Sequence, residues 1–151
     1  MITYIQKGNI FDSKMQTLVN PVNCVGVMGK GLALEFKKRY PKVNSIYERD
    51  CERGEFLPGS VRYYQSDDKA HLIACFATKN HWREQSKYSF ISTGLVKIQW
   101  LISQGKITEL AIPAIGCGLG GLEWGNVKMQ IEQYLRRESI PIEVYGPEDW
   151  E

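Results

Sequence analysis

Two glycine-rich loops constrain this chain more than anything else in it. Each runs out of an apolar segment and into a helical periodicity. The first, Gly26-Val27-Met28-Gly29-Lys30-Gly31, follows the apolar run Thr17 to Val25 and leads into a segment where Leu32, Phe36 and Tyr40 recur every four residues. The second, Gly116-Cys117-Gly118-Leu119-Gly120-Gly121, follows Leu110-Ala111-Ile112 and precedes the helical spacing of Val127, Ile131, Tyr134 and Leu135. Strand, loop and helix in succession indicate an α/β fold. Glycine carries no Cβ to hold a ligand off the main chain, so N–H groups at a helix start can converge on an anion. A phosphate is the expected guest, and the plainer reading of either loop is a tight turn that needs glycine for its torsions.

The rest of the chain supplies the sheet. Ile2 to Lys7 reads as a first strand, and Thr17 to Val25 is too continuously apolar for a half-exposed strand, which places it centrally in a parallel sheet. Pro41 closes the first helix, and Val43, Ile46, Tyr47 and Cys51 mark the apolar face of a second that stops at Gly54. Val61 to Tyr64 and Leu72 to Phe76 form a hairpin around Asp67-Asp68. Tyr88, Ile91, Leu95, Ile98 and Ile102 define a long amphipathic helix ending at Gly105, and Ile142 to Tyr145 gives the last strand. With 151 residues, 43% of them hydrophobic, and no repeat, linker or low-complexity segment, a single domain over 1–151 is expected.

Charge and cysteine usage exclude several classes. A net charge of +2 with both signs interspersed gives no general nucleic-acid or membrane footprint, so any polymer contact must be local. No apolar run has the length of a bilayer span or of a signal-peptide core, which points to a cytoplasmic protein with no membrane partner. Cys24, Cys51, Cys75 and Cys117 lack CxxC spacing, and only His71 and His81 are available, so no metal site is indicated and the thiols are expected reduced and mostly buried. Neither glycine loop matches a known nucleotide grammar. Gly26 to Gly31 has the wrong spacing for a P-loop and the reverse order of a dinucleotide fingerprint.

Together the motifs resemble the macrodomain superfamily of ADP-ribose-binding modules. Gly8-Asn9-Ile10 stands for the usual Gly-Asp-Ile, Val19-Asn20-Pro21-Val22-Asn23 for Val-Asn-Ala-Ala-Asn, and Ile112-Pro113-Ala114-Ile115-Gly116-Cys117-Gly118 for the second phosphate loop. Gly26 to Ala33, Thr78-Lys79 and Gly116 to Leu119 resemble the branch that holds the terminal ADP-ribose protein glycohydrolase and the DarG antitoxins, which remove ADP-ribose from thymidine in DNA. The resemblance implies a three-layer α/β/α domain with a central mixed sheet, no cofactor and a monomer. It implies hydrolysis of ADP-ribose from single-stranded DNA, with an ADP-ribosyltransferase toxin as cognate partner. Alternatives are action on ADP-ribosylated protein carboxylates, processing of ADP-ribose 1″-phosphate, and non-catalytic reading of ADP-ribose.

By the same resemblance Lys79 attacks the distal ribose and Asn23 orients it. A lysine attacks only as the free amine, so Lys79 needs desolvation or a neighbouring positive charge, for which Arg83 is placed. Its plain alternative is a solvated lysine after a strand. Asn9 and Ile10 would meet the adenine, Asn9 without the charge of the usual aspartate. Gly29, Lys30, Gly31, Leu32, Thr78, Ile115, Gly116, Cys117, Gly118, Leu119 and Gly120 would hold the ligand, as would Asn20, which also reads as a loop brace. Gly120 stands where the protein glycohydrolase keeps an aspartate, and Glu123 is the nearest acid in sequence. His81, Trp82 and Arg83 offer flat side chains on which a base can stack, against the blander reading of Trp82 as a core residue.

Overall fold

The computed structural model describes residues 1–147. Six strands are present: β1 (Ile2–Ile5), β2 (Thr17–Asn23), β3 (Val61–Gln65), β4 (Leu72–Lys79), β5 (Leu110–Ile112) and β6 (Ile142–Tyr145). Four helices, α1 (Gly31–Arg39), α2 (Pro41–Glu52), α3 (Tyr88–Ser103) and α4 (Trp124–Leu135), connect them. Strand order across the sheet is β1-β6-β5-β2-β4-β3. All neighbours run parallel except the edge pair β3 and β4, which form the expected antiparallel hairpin.

Period-2 alternation in the inner strands sends successive side chains to opposite faces, so both faces need cover. Val19, Ala74, Phe76, Leu110 and Ile112 pack with Ile91, Leu95, Ile98 and Leu101 of α3 and with Val127, Ile131 and Leu135 of α4. Leu18, Val22, Ile73, Cys75, Ala77 and Ala111 pack with Leu32 and Phe36 of α1 and with Val43 and Tyr47 of α2. Three α/β/α layers result. One detail departs from the periodic reading: Leu101, not Ile102, completes the buried face of α3, and Tyr88 at its start stays at the surface.

The topology fixes where a ligand can enter. After β2 the chain turns to α1 and α2 on one face, whereas after its neighbour β5 it turns to α4 on the other. Connections leaving adjacent parallel strands in opposite directions open a crevice beyond their carboxyl ends. The carboxyl end of β4 lies on the other side of β2, so three strand ends meet there.

Candidate active site

The register between β2 and β4 carries the first decisive feature. From Thr17 opposite Leu72 to Val22 opposite Ala77 the strands pair residue for residue, and then Asn23 pairs with Lys79. Thr78 is the extra residue of a bulge. With side chains alternating in direction, one added residue moves Lys79 to the face it would otherwise turn away from and sets it beside Asn23. Lys79 is therefore the last residue of β4 and not part of the loop that follows, as the sequence suggested.

Beyond these strand ends lies a cavity of about 880 Å³. Asn23, Thr78 and Lys79 line its floor, Gly29, Lys30, Gly31 and Leu32 one wall, and Gly116, Cys117, Gly118, Leu119 and Gly120 the other. Trp82 and Arg83 stand at its edge. Gly31 opens α1 at φ +61°, and no side chain caps that helix. The first N–H groups of α1 are thus left for an anion. Gly116, at φ +75°, takes the opposite wall through a turn in which a Cβ would lie 2.8 Å from Leu122 Cδ1. Lys30, Lys79 and Arg83 bring positive charge to the cavity, and among the described residues no carboxylate lines it.

Asn23 is 6% exposed and held by its surroundings. Its Oδ1 accepts from Val25 N at 3.1 Å, Val27 N at 3.3 Å and the Tyr47 hydroxyl at 3.1 Å, while Nδ2 donates to Val27 O at 2.8 Å. The oxygen is spent on the first glycine loop, which leaves one Nδ2 hydrogen for a ligand. Toward a ligand the Asn23 amide can therefore donate but has no oxygen lone pair to spare. The single Tyr47 proton is shared with Asn23 O, the shorter arm at 2.7 Å. Burial pushes its phenol well above the usual range, so it remains a donor. Its helical spacing had marked it only as core.

Burial also pulls the Lys79 ammonium below the ordinary lysine range. Desolvation is the sole cause. The guanidinium expected to assist lies 4.6 Å over the Trp82 ring, whose other partner, His81, is stacked at 5.3 Å. Burial pushes the Cys117 thiol up to about 11, so it stays neutral beside a bound anion.

Several expected ligand residues are not brought to the cavity. Asn20 is fully buried, with Nδ2 3.7 Å from Met28 Sδ, and braces the first glycine loop from beneath. Ile115 belongs to the core under α3 and α4. Asn9 caps a single 3-10 turn over Ile10–Asp12 by accepting from Phe11 N at 2.9 Å, and Ile10 is buried. That turn follows β1, one strand beyond β6, whereas among the described residues the cavity lining on this side is Pro147, after β6. Glu123 sits on the surface at the start of α4, its N–H given to the Tyr88 hydroxyl, and supplies no acid to the site. The four cysteines are free as expected, but only Cys75 is buried and the other three are partly exposed. Pro147 lacks any sequence signal for a place at the cavity.

The macro domain family model matches residues 19–131. This chain belongs to the macro domain family. It is 40% identical over 151 residues to a protein of Mycobacterium tuberculosis named DNA ADP-ribosyl glycohydrolase, an alignment covering 97% of this chain and 42% of that one. The chain thus spans less than half the length of that relative. Among solved structures, the macrodomain of Mycobacterium tuberculosis DarG superposes with a TM-score of 0.92 at 38% identity, covering 97% of this chain and 98% of the other. A structure described as Thermosipho africanus DarTG in complex with ADP-ribose gives 0.89 at 36% identity, covering 97% and 41%. Among the described residues no helix is long and apolar enough to cross a membrane, and no group of residues suited to a metal ion occurs.

Proposed function

We propose that this macro domain binds ADP-ribose and removes it from thymidine in single-stranded DNA, with Lys79 as nucleophile. The observation that carries the reading is the Thr78 bulge, which sets Lys79 beside Asn23 on the floor of a cationic cavity walled by two glycine loops. The open start of α1 and the main chain of Gly116 to Gly120 take the diphosphate, while the free Nδ2 hydrogen of Asn23 reaches a hydroxyl of the distal ribose. Nζ of the neutral Lys79 forms a bond to C1″ as the C1″–thymidine bond breaks. The thymidine leaves with the bonding pair and takes a proton from solvent, which the water consumed in the next step gives back. Water then attacks C1″, and Nζ leaves with the pair that joined it, so that ADP-ribose and the amine are returned. The names of the relatives support this substrate, and the His81, Trp82 and Arg83 stack at the cavity edge is the feature of this chain that favours a nucleobase. An enzyme that removes ADP-ribose from DNA presupposes one that attaches it, so a cognate ADP-ribosyltransferase is the proposed partner.

The carboxylate-free lining favours a second reading. A protein carboxylate leaves without being protonated, because its conjugate acid is strong, with a pKa of roughly 4. Thymidine has no such advantage, and the cavity offers it no carboxylic acid among the described residues. Incubation of wild type and Lys79→Ala with ADP-ribosylated single-stranded DNA and, separately, glutamate-ADP-ribosylated protein decides between them. Release from DNA by wild type alone is expected. Release from protein only supports the second reading. No release from either, with ADP-ribose binding intact, leaves a non-catalytic reader.

A further inference from the structure

Ser86 is a feature the proposed reaction has not used. It lies in the segment that follows the His81, Trp82 and Arg83 stack and is 5% exposed. Its N–H donates to Gly120 O at 3.0 Å, which fastens the segment to the second glycine loop. Its hydroxyl oxygen is buried with no hydrogen-bond partner. Such a group keeps an uncompensated desolvation cost unless a partner reaches it. A Cβ placed on Gly120 would lie 2.5 Å from Ser86 Oγ and 3.9 Å from Lys79 Cε. The hydroxyl and the end of the Lys79 chain therefore face one small space, which residue 120 leaves empty.

An inventory of acceptors gives that space a use. When ADP-ribose fills the cavity, water is displaced from around the Lys79 amine. Among the described residues no carboxylate lines the cavity, and Asn23 Oδ1 is already taken by two loop N–H groups. Among the described residues, the charged and titratable groups that line the cavity with Lys79 are Lys30 from the first glycine loop and Arg83 from the segment after β4, which accept nothing, and the Cys117 thiol from the second loop, which is only a weak acceptor. Glu84 lies on the exposed side of its segment, held by Asn80 Nδ2 at 3.4 Å. Ser86 Oγ is the uncommitted acceptor that remains on the Gly120 side.

We propose that Ser86 is a positioning residue for Lys79: its hydroxyl accepts from Nζ across Gly120 once the cavity is occupied, and glycine at 120 keeps that path open. The inference rests on the role given to Lys79 above and extends it. The hydrogen bond holds Nζ on one side of the ribose and is kept by an N–H of the cationic secondary amine formed when Nζ bonds to C1″.

The test reads Lys79 without needing turnover. In protein saturated with ADP-ribose and carrying 13C-labelled lysine, the titration of Lys79 is followed by the NMR shift of its Cε across the neutral and alkaline range. Losing its acceptor disfavours the ammonium, so Ser86→Ala should move the titration midpoint down by about one pH unit. Gly120→Ala, whose methyl crowds Oγ, should move it the same way, and Ser86→Thr, which keeps a hydroxyl, should restore it. A midpoint unchanged in Ser86→Ala, with ADP-ribose binding retained, overturns the proposal. So does a shift produced by Thr78→Val instead, because the hydroxyl at Thr78 is the rival acceptor. If Lys79→Ala keeps full turnover, the nucleophile assignment fails while the midpoint still decides whether Ser86 and Lys79 touch.

Discussion

Lys79 and Trp82 are three residues apart, yet the fold holds them in opposite ways. Lys79 ends an inner strand, paired with Asn23, which is itself tied by hydrogen bonds from two loop N–H groups and Tyr47. Trp82 is 45% exposed and kept in place by His81 and Arg83, its own sequence neighbours. The contrast separates two requirements. Bond making needs atoms fixed to fractions of an ångström, and a strand register supplies that. Taking up a nucleobase needs flat faces that can yield, because His81 or Arg83 must move if a base is to stack on the indole.

The sharpest way to break the comparison is to remove Thr78. Deleting it erases the bulge, turns Lys79 to the opposite face and should lower turnover by about 10³-fold, as loss of a nucleophile does, with the Trp82 platform still present. Circular dichroism and ADP-ribose binding check that the sheet survives. A deletion variant with wild-type turnover would remove register from the account.

Acidity tests the fixed half next. Attack requires the free amine, and burial lowers the Lys79 pKa, so the rate should rise about tenfold per pH unit and level off below the ordinary lysine value of about 10.4. A single-turnover pH series measures it, and a plateau reached only at or above that value contradicts desolvation by the cleft.

Trp82→Ala addresses the yielding half. Affinity for ADP-ribosylated single-stranded DNA should fall by about 1–3 kcal/mol, with affinity for free ADP-ribose unchanged. Equal losses for both ligands would make Trp82 part of the pocket wall and not a base platform. The smallest effect is expected from Tyr47→Phe, which takes one donor from Asn23 and should cost about 1–2 kcal/mol in denaturant melts with a modest fall in turnover. A larger loss of turnover than of stability would show that the tether sets the angle of the Asn23 amide.

What was legible in the chain follows the same division. Both glycine loops, all six strands and all four helices announce themselves, because the apolar runs are uninterrupted and each loop separates a strand from a helix. The Thr78 bulge has no such signature. Ala77-Thr78-Lys79 reads equally well as the end of a strand or the start of a loop, and pairing partners are set by distant residues. The tether on Asn23 was hidden for a related reason: Tyr47 carries helical spacing and so registers as core, while its hydroxyl does the work at the site. Ser86 sits in a polar stretch with nothing periodic about it, and only burial singles it out. Asn9 was read from a motif position, and its place beyond β6 depends on strand order, which hydrophobic pattern alone leaves open.

The sheet ends in two short borders, β1 with four residues and β3 with five. A second sheet docking edge to edge gains few backbone hydrogen bonds on strands of that length, and the exposed Tyr63 and the half-buried Arg62, paired with Asp50 and Glu55, add bulk and polar groups to β3. The long apolar strands that would stack most strongly, β2 and β4, are enclosed by neighbours on both sides. In a concentrated solution, growth of insoluble material must therefore wait for an outer strand to peel away, which makes the clouding temperature of this protein a report on its edges and not on its site.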